Sequence, residues 1–136
     1  MPMRGDPFHN FLAKTTKQIV SQFLDQVYLE YCFSRDESKA FFDVFGRKGN
    51  LVLAFEVETT GRHAVDNAKK AAIAGVPLWF VVPDRRVKSE ITRTLNPLAI
   101  KPAGEVIKIL LLGQLRQELK SYVSLFIPAN RLKDKE

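Results

Sequence analysis

The sequence predicts an α/β fold in which a mixed central sheet is flanked by helices, and three observations support this. Strand-like apolar runs alternate with segments of helical spacing along the chain. The run at residues 77–82 is short and wholly apolar, as is typical of parallel strands covered on both faces. A length of 136 residues is ordinary for one domain with a substantial core. We therefore expect a single domain over residues 1–136.

The first predicted element is a long helix. Apolar residues recur at three- and four-residue spacing from Asn10 to Phe33, which predicts one continuous amphipathic helix. Residues 1–9 carry two prolines and one glycine before it, so they are expected to form a loose lead-in. Cys32 lies near the end of this helix and is expected to be a packed free thiol, since one cysteine cannot form an internal disulfide or a Cys-based zinc site.

Two strands are predicted next. Residues 34–39 form a polar turn, and Ala40–Phe45 and Leu51–Glu58 have strand character on either side of the turn-rich segment 46–50. Antiparallel pairing of these runs would bring Asp43 towards Glu56.

The second half of the chain alternates helices and strands. Helices are predicted at 62–74, from 83 to 95 and at 113–126, and strands at 77–82 and 105–112. The order is therefore one helix, two or three strands, and then alternating helices and strands. Residues 128–136 are expected to be a frayed, charged tail.

Three acidic residues predict a metal site. Glu56 and Glu58 alternate onto one face at the end of an apolar strand, and Asp43 comes from the neighbouring strand. Carboxylates at close range repel each other, and a divalent cation such as Mg²⁺ or Mn²⁺ relieves the repulsion. The alternative is an exposed strand end that its acids keep soluble. That alternative fits less well, because the strand is apolar and Thr59-Thr-Gly supplies no basic partner.

The net charge of +6 favours an acidic partner, with nucleic acid first and an anionic membrane surface second. The basic residues that we expect to contact phosphates are Arg47, Lys48, Arg62, Arg85, Arg86 and Lys88. The alternative for them is a solvated face. No apolar stretch is long enough to span a bilayer and the first residues lack the apolar core of a signal peptide, so an intracellular (cytoplasmic) protein is expected.

These motifs resemble the PD-(D/E)xK nuclease superfamily. The matching residues are Asp43 in Phe-Phe-Asp-Val-Phe and Glu56-Val-Glu58 in Ala-Phe-Glu-Val-Glu-Thr, and the segments 67–75 and 77–82 are similar to its next helix and fourth strand. The resemblance covers roughly residues 10–95. It implies a restriction-endonuclease-like α-βββ-α-β core, here with an extra C-terminal strand and helix. It also implies Mg²⁺-dependent hydrolysis of DNA phosphodiesters, commonly by a homodimer.

The resemblance assigns roles to individual residues. Asp43 and Glu56 would be metal ligands, with the carbonyl of Val57 as a further one. The superfamily usually has a lysine two residues after the Glu, whereas this chain has Glu58. Glu58 is then a general base, a further ligand, or a mark of lost activity. A lysine from the next helix could instead serve, with Lys69 preferred to Lys70 because Lys70 is expected to face solvent.

Further acids and histidines are candidates for the same site. Several members of the superfamily place a Glu near the metal from the first helix, for which Glu30 is the best match and Asp25 the second. The alternative for Glu30 is an ordinary solvent-facing acid. His63 is expected to touch phosphate or solvent more than to act as a base, and His9 is expected to have no role. The last helix, 113–126, is where a homodimer interface is expected.

The sequence therefore predicts a metal-dependent DNA endonuclease. One alternative is a nuclease-like protein that no longer cuts and binds nucleic acid or serves as an accessory subunit. The departure at Glu58 favours that alternative. A third and weaker interpretation is a small α/β interaction domain without a nucleic acid role.

Overall fold

A five-stranded mixed sheet forms the centre of the molecule in a computed structural model that describes residues 6–126. The strands lie side by side in chain order: β1 (Gln26–Arg35), β2 (Ser38–Lys48), β3 (Leu51–Val57), β4 (Leu78–Val82) and β5 (Lys108–Leu111). The first three strands are antiparallel and the last three are parallel. The helices are α1 (Pro7–Val20), α2 (Ala64–Ala74), α3 (Arg85–Leu95) and α4 (Leu115–Phe126). The predicted fold class is thus confirmed, including the order α-βββ-α-β.

Each face of the sheet carries its own apolar core. On one face, side chains of α1 and α4 such as Leu12, Val20 and Leu119 pack against the sheet. On the other face, the small side chains of α2 let that helix lie close to the strands, and α3 adds Val87 and Ile91. β3 and β4 lie between the two layers and are buried along their length, which explains their nearly continuous apolar sequence.

The predicted helix from Asn10 to Phe33 is wrong in its second half. The helix ends at Val20, a tight turn follows, and residues 26–35 form β1 instead. Val27, Leu29, Tyr31 and Phe33 alternate, so the segment fits period two as well as a helical spacing. Pairing with β2 decides between the two, because it gives hydrogen-bond partners to the backbone groups that face β2 on either side of Glu30.

The hairpin between β2 and β3 closes with a two-residue turn. Lys48 pairs with Leu51, and the turn consists of Gly49 and Asn50. Gly49 has φ +60°, a conformation that glycine adopts at little cost. The pairing runs from this turn to Val44 opposite Phe55, as the sequence predicted for an antiparallel hairpin.

β1 and β2 continue together past the end of this pairing. We call residues 31–42 the hairpin arm, because β1 and β2 pair with each other there while β2 has no paired residue in β3. Phe33 and Phe42 bury the inner side of the arm against the α2 layer. At its tip, Nη1 of Arg35 lies 2.7 Å from the position of a Cβ on Gly75, the residue that ends α2. The cation thus lies at the negative end of that helix.

Several element boundaries differ from the prediction. The last strand is shorter than 105–112, and α4 begins at Leu115 after a 3-10 turn at Leu112–Gln114. Residues 7–9 of the predicted lead-in form the first turn of α1, which Asp6 caps by accepting hydrogen bonds from two backbone N–H groups. Cys32 is exposed on β1, so the expectation of a packed thiol is wrong.

The charged tail at 128–136 lies outside the described residues, as do residues 1–5. Among the helices of residues 6–126, none has the length and apolar character needed to cross a membrane.

A substitution at Gly46 would test how closely α1 and the turn after it pack on β2. A Cβ at Gly46 would lie 2.5 Å from Cδ1 of Leu24 and 3.2 Å from Cγ1 of Val20. We therefore expect Gly46→Ala to lower the free energy of unfolding by about 1–3 kcal/mol, because the core must shift to admit the methyl group. Urea denaturation measures this. Gly113→Ala is the control, since a Cβ there meets no atom within 4 Å. Equal stability of the two variants would contradict the packing described.

Candidate metal centre

A cleft of about 690 Å³ opens where β3 ends. Its lining comes from the first turn of α1, from β1, β2 and β3, from the loop after β3, and from α2. Four acidic residues predicted for the site share this cleft: Glu30, Asp43, Glu56 and Glu58. The structure therefore brings the predicted acids together in one cleft.

Asp43 and Glu56 meet where the pairing of β2 and β3 stops. Val44 and Phe55 form the last backbone pair, so Asp43 and Glu56 are the next residues in register. The Oδ2 atom of Asp43 accepts a hydrogen bond from the Val57 N–H at 2.8 Å, and the neighbouring carboxyl groups of Asp43 and Glu56 shift each other's pKa. The backbone pairing of β2 and β3 stops at this point, and the Asp43 side chain provides the next hydrogen bond to β3. This hydrogen bond holds the Asp43 carboxylate against β3.

The strands are distorted at this point. Glu30 lies opposite Asp43 in the β1–β2 register and has φ +48°, which is uncommon for a residue other than glycine. The rings of Tyr28 and Tyr31, which lie on either side of Glu30 in the sequence, stack on each other. Two side chains three residues apart therefore lie on the same side of β1. The alternation of side chains therefore reverses at Glu30. Such strain of about 1–3 kcal/mol is retained where the surrounding structure imposes it, and it is most frequent at functional sites.

The alternation of side chains is also broken on β2. Phe42 and Phe45 stack with ring centroids 6.4 Å apart, so they share a face, whereas strict alternation would put Phe45 on the face of Phe41 and Asp43. Val44 belongs to the opposite core.

The charge state of the carboxyl pair follows from its burial. Burial and the neighbouring Asp43 carboxylate raise the pKa of Glu56 well above its usual value, although Lys70 opposes the shift with an ion pair of 2.8 Å. Burial also acts to raise the pKa of Asp43, but hydrogen bonds from His9 and from the Val57 N–H outweigh it and leave that pKa lowered. Within the pair, a proton is therefore favoured on Glu56 and the negative charge on Asp43.

Glu58 lies on the same side of β3 and is also buried. Burial and the charge of Asp43 raise the pKa of Glu58 to about 7. Asn67 on α2 donates a hydrogen bond of 2.7 Å to Oε2 of Glu58, which fixes the direction of the carboxyl group. A carboxyl group with this pKa can accept and release protons near neutral pH.

Lys70, and not Lys69, enters the cluster. Lys70 Nζ lies 2.8 Å from Glu56 Oε2 and also donates to the backbone carbonyl of Phe41, while Lys69 is exposed. The preference for Lys69 rested on Lys70 facing solvent, and the structure reverses it. The two lysines are adjacent on α2, so a rotation of about 100° per residue decides which one points to β3, and the helix phase is set by its buried alanines.

His9 is the residue that sequence reasoning missed. Its Nε2 lies 3.4 Å from Oδ2 of Asp43, and the side chain lines the cleft. The signal was present in the sequence: Asp6-Pro7 is a helix start, with an N-cap followed by proline. Recognition of that start would have placed His9 in the first turn of α1 instead of in a loose segment.

The two candidates for an additional acid are far apart. Glu30 lines the cleft but is exposed, and it reaches the site from a strand instead of the predicted helix. Asp25 pairs with Lys48 at 3.3 Å near the turn of the β2–β3 hairpin. That turn is at the opposite end of β3 from Glu56, so Asp25 does not belong to the site.

The predicted phosphate contacts separate into two groups. Arg62 lines the cleft, together with His63. Arg85, Arg86 and Lys88 lie in the first turn of α3, which follows β4 at the same edge of the sheet, but they do not line the cleft.

Arg47 and Lys48 are at the far end of the hairpin, where Arg47 packs over the Phe45 ring at 5.8 Å and Lys48 pairs with Asp25. These two residues therefore lie away from the cleft, because the hairpin points its turn away from the acids.

The donors present suit a hard cation that retains waters. Within residues 6–126, no three His, Cys, Asp or Glu side chains are arranged as a ready metal-ligand set. Mg²⁺, however, is often held by only one or two carboxylates, with waters and substrate phosphates completing its shell. Asp43 and Glu56 supply such a pair. The carbonyl of Val57 as a further ligand stays a prediction.

Comparisons with known proteins describe the fold only. No family model matches the sequence, and no curated protein matches it. The structure is similar to that of protein VC1899 from Vibrio cholerae, with a TM-score of 0.49 and 18% identity over 89% of this chain and 33% of that one. This chain therefore spans about a third of that protein's length.

A second similar structure is the small subunit (R.BspD6I2) of the heterodimeric restriction endonuclease R.BspD6I, with a TM-score of 0.47 and 10% identity. That match covers 97% of this chain and 79% of the other. Similarity at this level says nothing about the residues of the cleft.

The buried carboxyl groups should make the metal-free protein less stable as pH rises. Glu58 has a pKa of about 7 in the folded chain and an ordinary value of 4.5, so the folded state binds the extra proton between these values. Its stabilising contribution is full below about pH 4.5 and is lost as pH rises through 7. We expect the free energy of unfolding in EDTA to fall by about 1–3 kcal/mol between pH 5 and 8.

Glu58→Gln is the matched control for this measurement. Glutamine keeps the acceptor for Asn67 and cannot titrate, so the fall measured by urea denaturation should be smaller in that variant. A wild-type stability that is constant or rises over this range would contradict the protonated site.

Proposed function

We propose that this protein is a metal-dependent DNA endonuclease. The observation that carries the proposal is the carboxyl pair formed by the half-buried Asp43 and the buried Glu56, which lines an open cleft with a lysine ion-paired to Glu56. Two buried carboxylates in contact are costly unless a proton or a cation lies between them. The resemblance of Asp43 and Glu56-Val-Glu58 to PD-(D/E)xK motifs agrees with this assignment.

Asp43 and Glu56 would hold Mg²⁺ or Mn²⁺, with the Val57 carbonyl as a further ligand. The bound ion supplies activation of water and neutralisation of charge on the phosphate. His9 donates to Asp43 from α1, and the Val57 N–H donates to the same oxygen, so this carboxylate stays ionised and oriented while its other oxygen is available to a ligand.

Lys70 takes the place of the lysine that position 58 lacks. Its ammonium group reaches Glu56 from α2 instead of from β3, and Glu56, whose pKa is raised by burial, has to be ionised to act as a ligand. The positive charge of the Lys70 ammonium group favours the ionised form of Glu56. The ammonium group can also orient a water beside the cluster. Glu58, with a pKa of about 7 and a fixed direction from Asn67, is placed to accept the proton of the attacking water.

The substrate and assembly follow from charge and from the resemblance. A net charge of +6 favours a polyanion, and Arg62 at the cleft and Arg85, Arg86 and Lys88 on the same edge of the sheet would contact phosphates. A homodimer would place two sites on the two strands of DNA, and an intracellular location is consistent with a DNA substrate.

A second candidate is a nuclease-like protein that binds DNA without cutting it. Glu58 in the usual lysine position favours it, as does the lack of a three-residue ligand set in the part of the chain that the structure describes. Calorimetry with Mn²⁺ separates the two functions. DNA binding without heat or a thermal shift from Mn²⁺ would support the binder.

Substitution of either carboxylate should abolish cleavage. We expect Asp43→Asn and Glu56→Gln to lower plasmid nicking in Mg²⁺ by at least about 100-fold, because each variant removes one of the two charges that hold the ion. Agarose gels of supercoiled plasmid measure the rate.

Asp25→Asn is the matched control, since this acid lies away from the cleft and is exposed. Equal nicking by the wild type and both cluster variants would remove the proposed activity.

The adjacent lysines of α2 provide a second test. We expect Lys70→Met to lower kcat about 10- to 1,000-fold, since it removes the cation beside Glu56, whereas Lys69→Met changes kcat less than about threefold. The same helix carries both substitutions, so a general effect on α2 would appear in both. A larger loss in the Lys69 variant would contradict the role of Lys70.

A further inference from the structure

Phe41 has a large apolar side chain that is exposed to solvent at the candidate metal centre. It lines the cleft and is 63% exposed, whereas its neighbour Phe42 is fully buried in the α2-side core. Its partner across the hairpin arm, Cys32, is exposed as well. The outward side of the arm therefore presents an aromatic ring to solvent two residues from Asp43.

The outward side of the arm carries a cation beside the aromatic ring. Lys39 and Phe41 alternate along β2, so they lie on the same side of the strand, and both are exposed. Two residues along a strand span about 7 Å, so the backbone of Phe41 lies one such step from Lys39 and one from the candidate metal ligand Asp43. A nucleotide whose phosphate lies at the acids carries its base within reach of such a ring, and Lys39 can contact a phosphate further along the nucleic-acid strand.

We propose that Phe41 stacks on an unpaired base of the DNA strand whose phosphodiester occupies the metal centre. This rests on the proposed nuclease function and specifies its substrate class as single-stranded or locally unpaired DNA. In an intact duplex both faces of a base are covered by neighbouring base pairs, so a ring at this place finds no face to stack on. An unpaired base presents one, and aromatic side chains bind such bases without regard to sequence.

The first turn of α1 carries another exposed ring. Phe8 is half exposed and lies in sequence between Asp6 and His9, which line the cleft, although Phe8 itself does not line it. Phe41 itself is held in place through its backbone, because Lys70 donates to its carbonyl while ion-paired to Glu56. The stacking ring and the ligand of the metal are thus positioned by one side chain.

The test compares one sequence as a single strand and as a blunt duplex, with a 2-aminopurine base placed beside the cleaved bond. We expect Phe41→Ala to lower kcat/KM on the single strand about 5- to 100-fold through KM, with less than a twofold change on the duplex. Quenching of 2-aminopurine fluorescence on binding should be lost in Phe41→Ala and retained in Phe41→Trp. Lys39→Ala should weaken the binding of both substrates equally, because it removes a phosphate contact.

Val106→Ala is the control for loss of an exposed apolar side chain, since Val106 is 67% exposed and does not line the cleft. Equal cleavage and equal quenching by wild type and Phe41→Ala would overturn the stacking proposal, and so would a change in sedimentation that marks Phe41 as a subunit contact. Cleavage at the wild-type rate by Glu56→Gln would remove the nuclease function alone. In that case the quenching experiment, which needs no cleavage, still decides whether Phe41 stacks on a base.

Discussion

The contact between the Asp43 and Glu56 carboxyl groups is the constraint on which the site depends. They belong to adjacent strands at the residue pair where backbone pairing ceases, and both are largely withdrawn from water. Such a contact cannot persist with two full charges and nothing between them. Every polar neighbour can be understood from this requirement: the Val57 N–H and His9 hold the charge on Asp43, while Lys70 balances Glu56.

These neighbours come from both sides of the sheet. α1 lies in the layer that it forms with α4, and α2 lies in the layer with α3, yet both helices reach the end of the same strand. The cluster is therefore complete only when both layers have packed. A side chain on one helix can affect the other through the carboxyl pair, although the two helices are separated by the sheet. The strained backbone of Glu30, on the adjoining strand β1, lies at the same site.

The sequence predicted the sheet, its flanking helices and the three acids because each left a local pattern. Buried β3 and β4 are continuous apolar runs, and Glu56 and Glu58 end one of them. β1 left no decisive pattern, since its apolar residues fit a helix as well as a strand and only pairing with β2 settles them. The choice of Lys70 over Lys69 depended on helix phase, which packing fixes. The reversal of side-chain direction at Glu30 could not be predicted, because it arises from contacts across two strands.

The short turn at Gly49 and Asn50 has a consequence at the other end of its hairpin. Asp43 lies five residues before Lys48 and Glu56 lies five residues after Leu51. The two acids are therefore equally far from the turn along β2 and β3. The length of the turn thus fixes the position of Asp43 relative to Glu56. One inserted residue in either arm would slide Asp43 out of step with Glu56 and send its side chain to the opposite face of the sheet. An insertion or deletion within either paired strand between the two acids is therefore expected to separate Asp43 from Glu56.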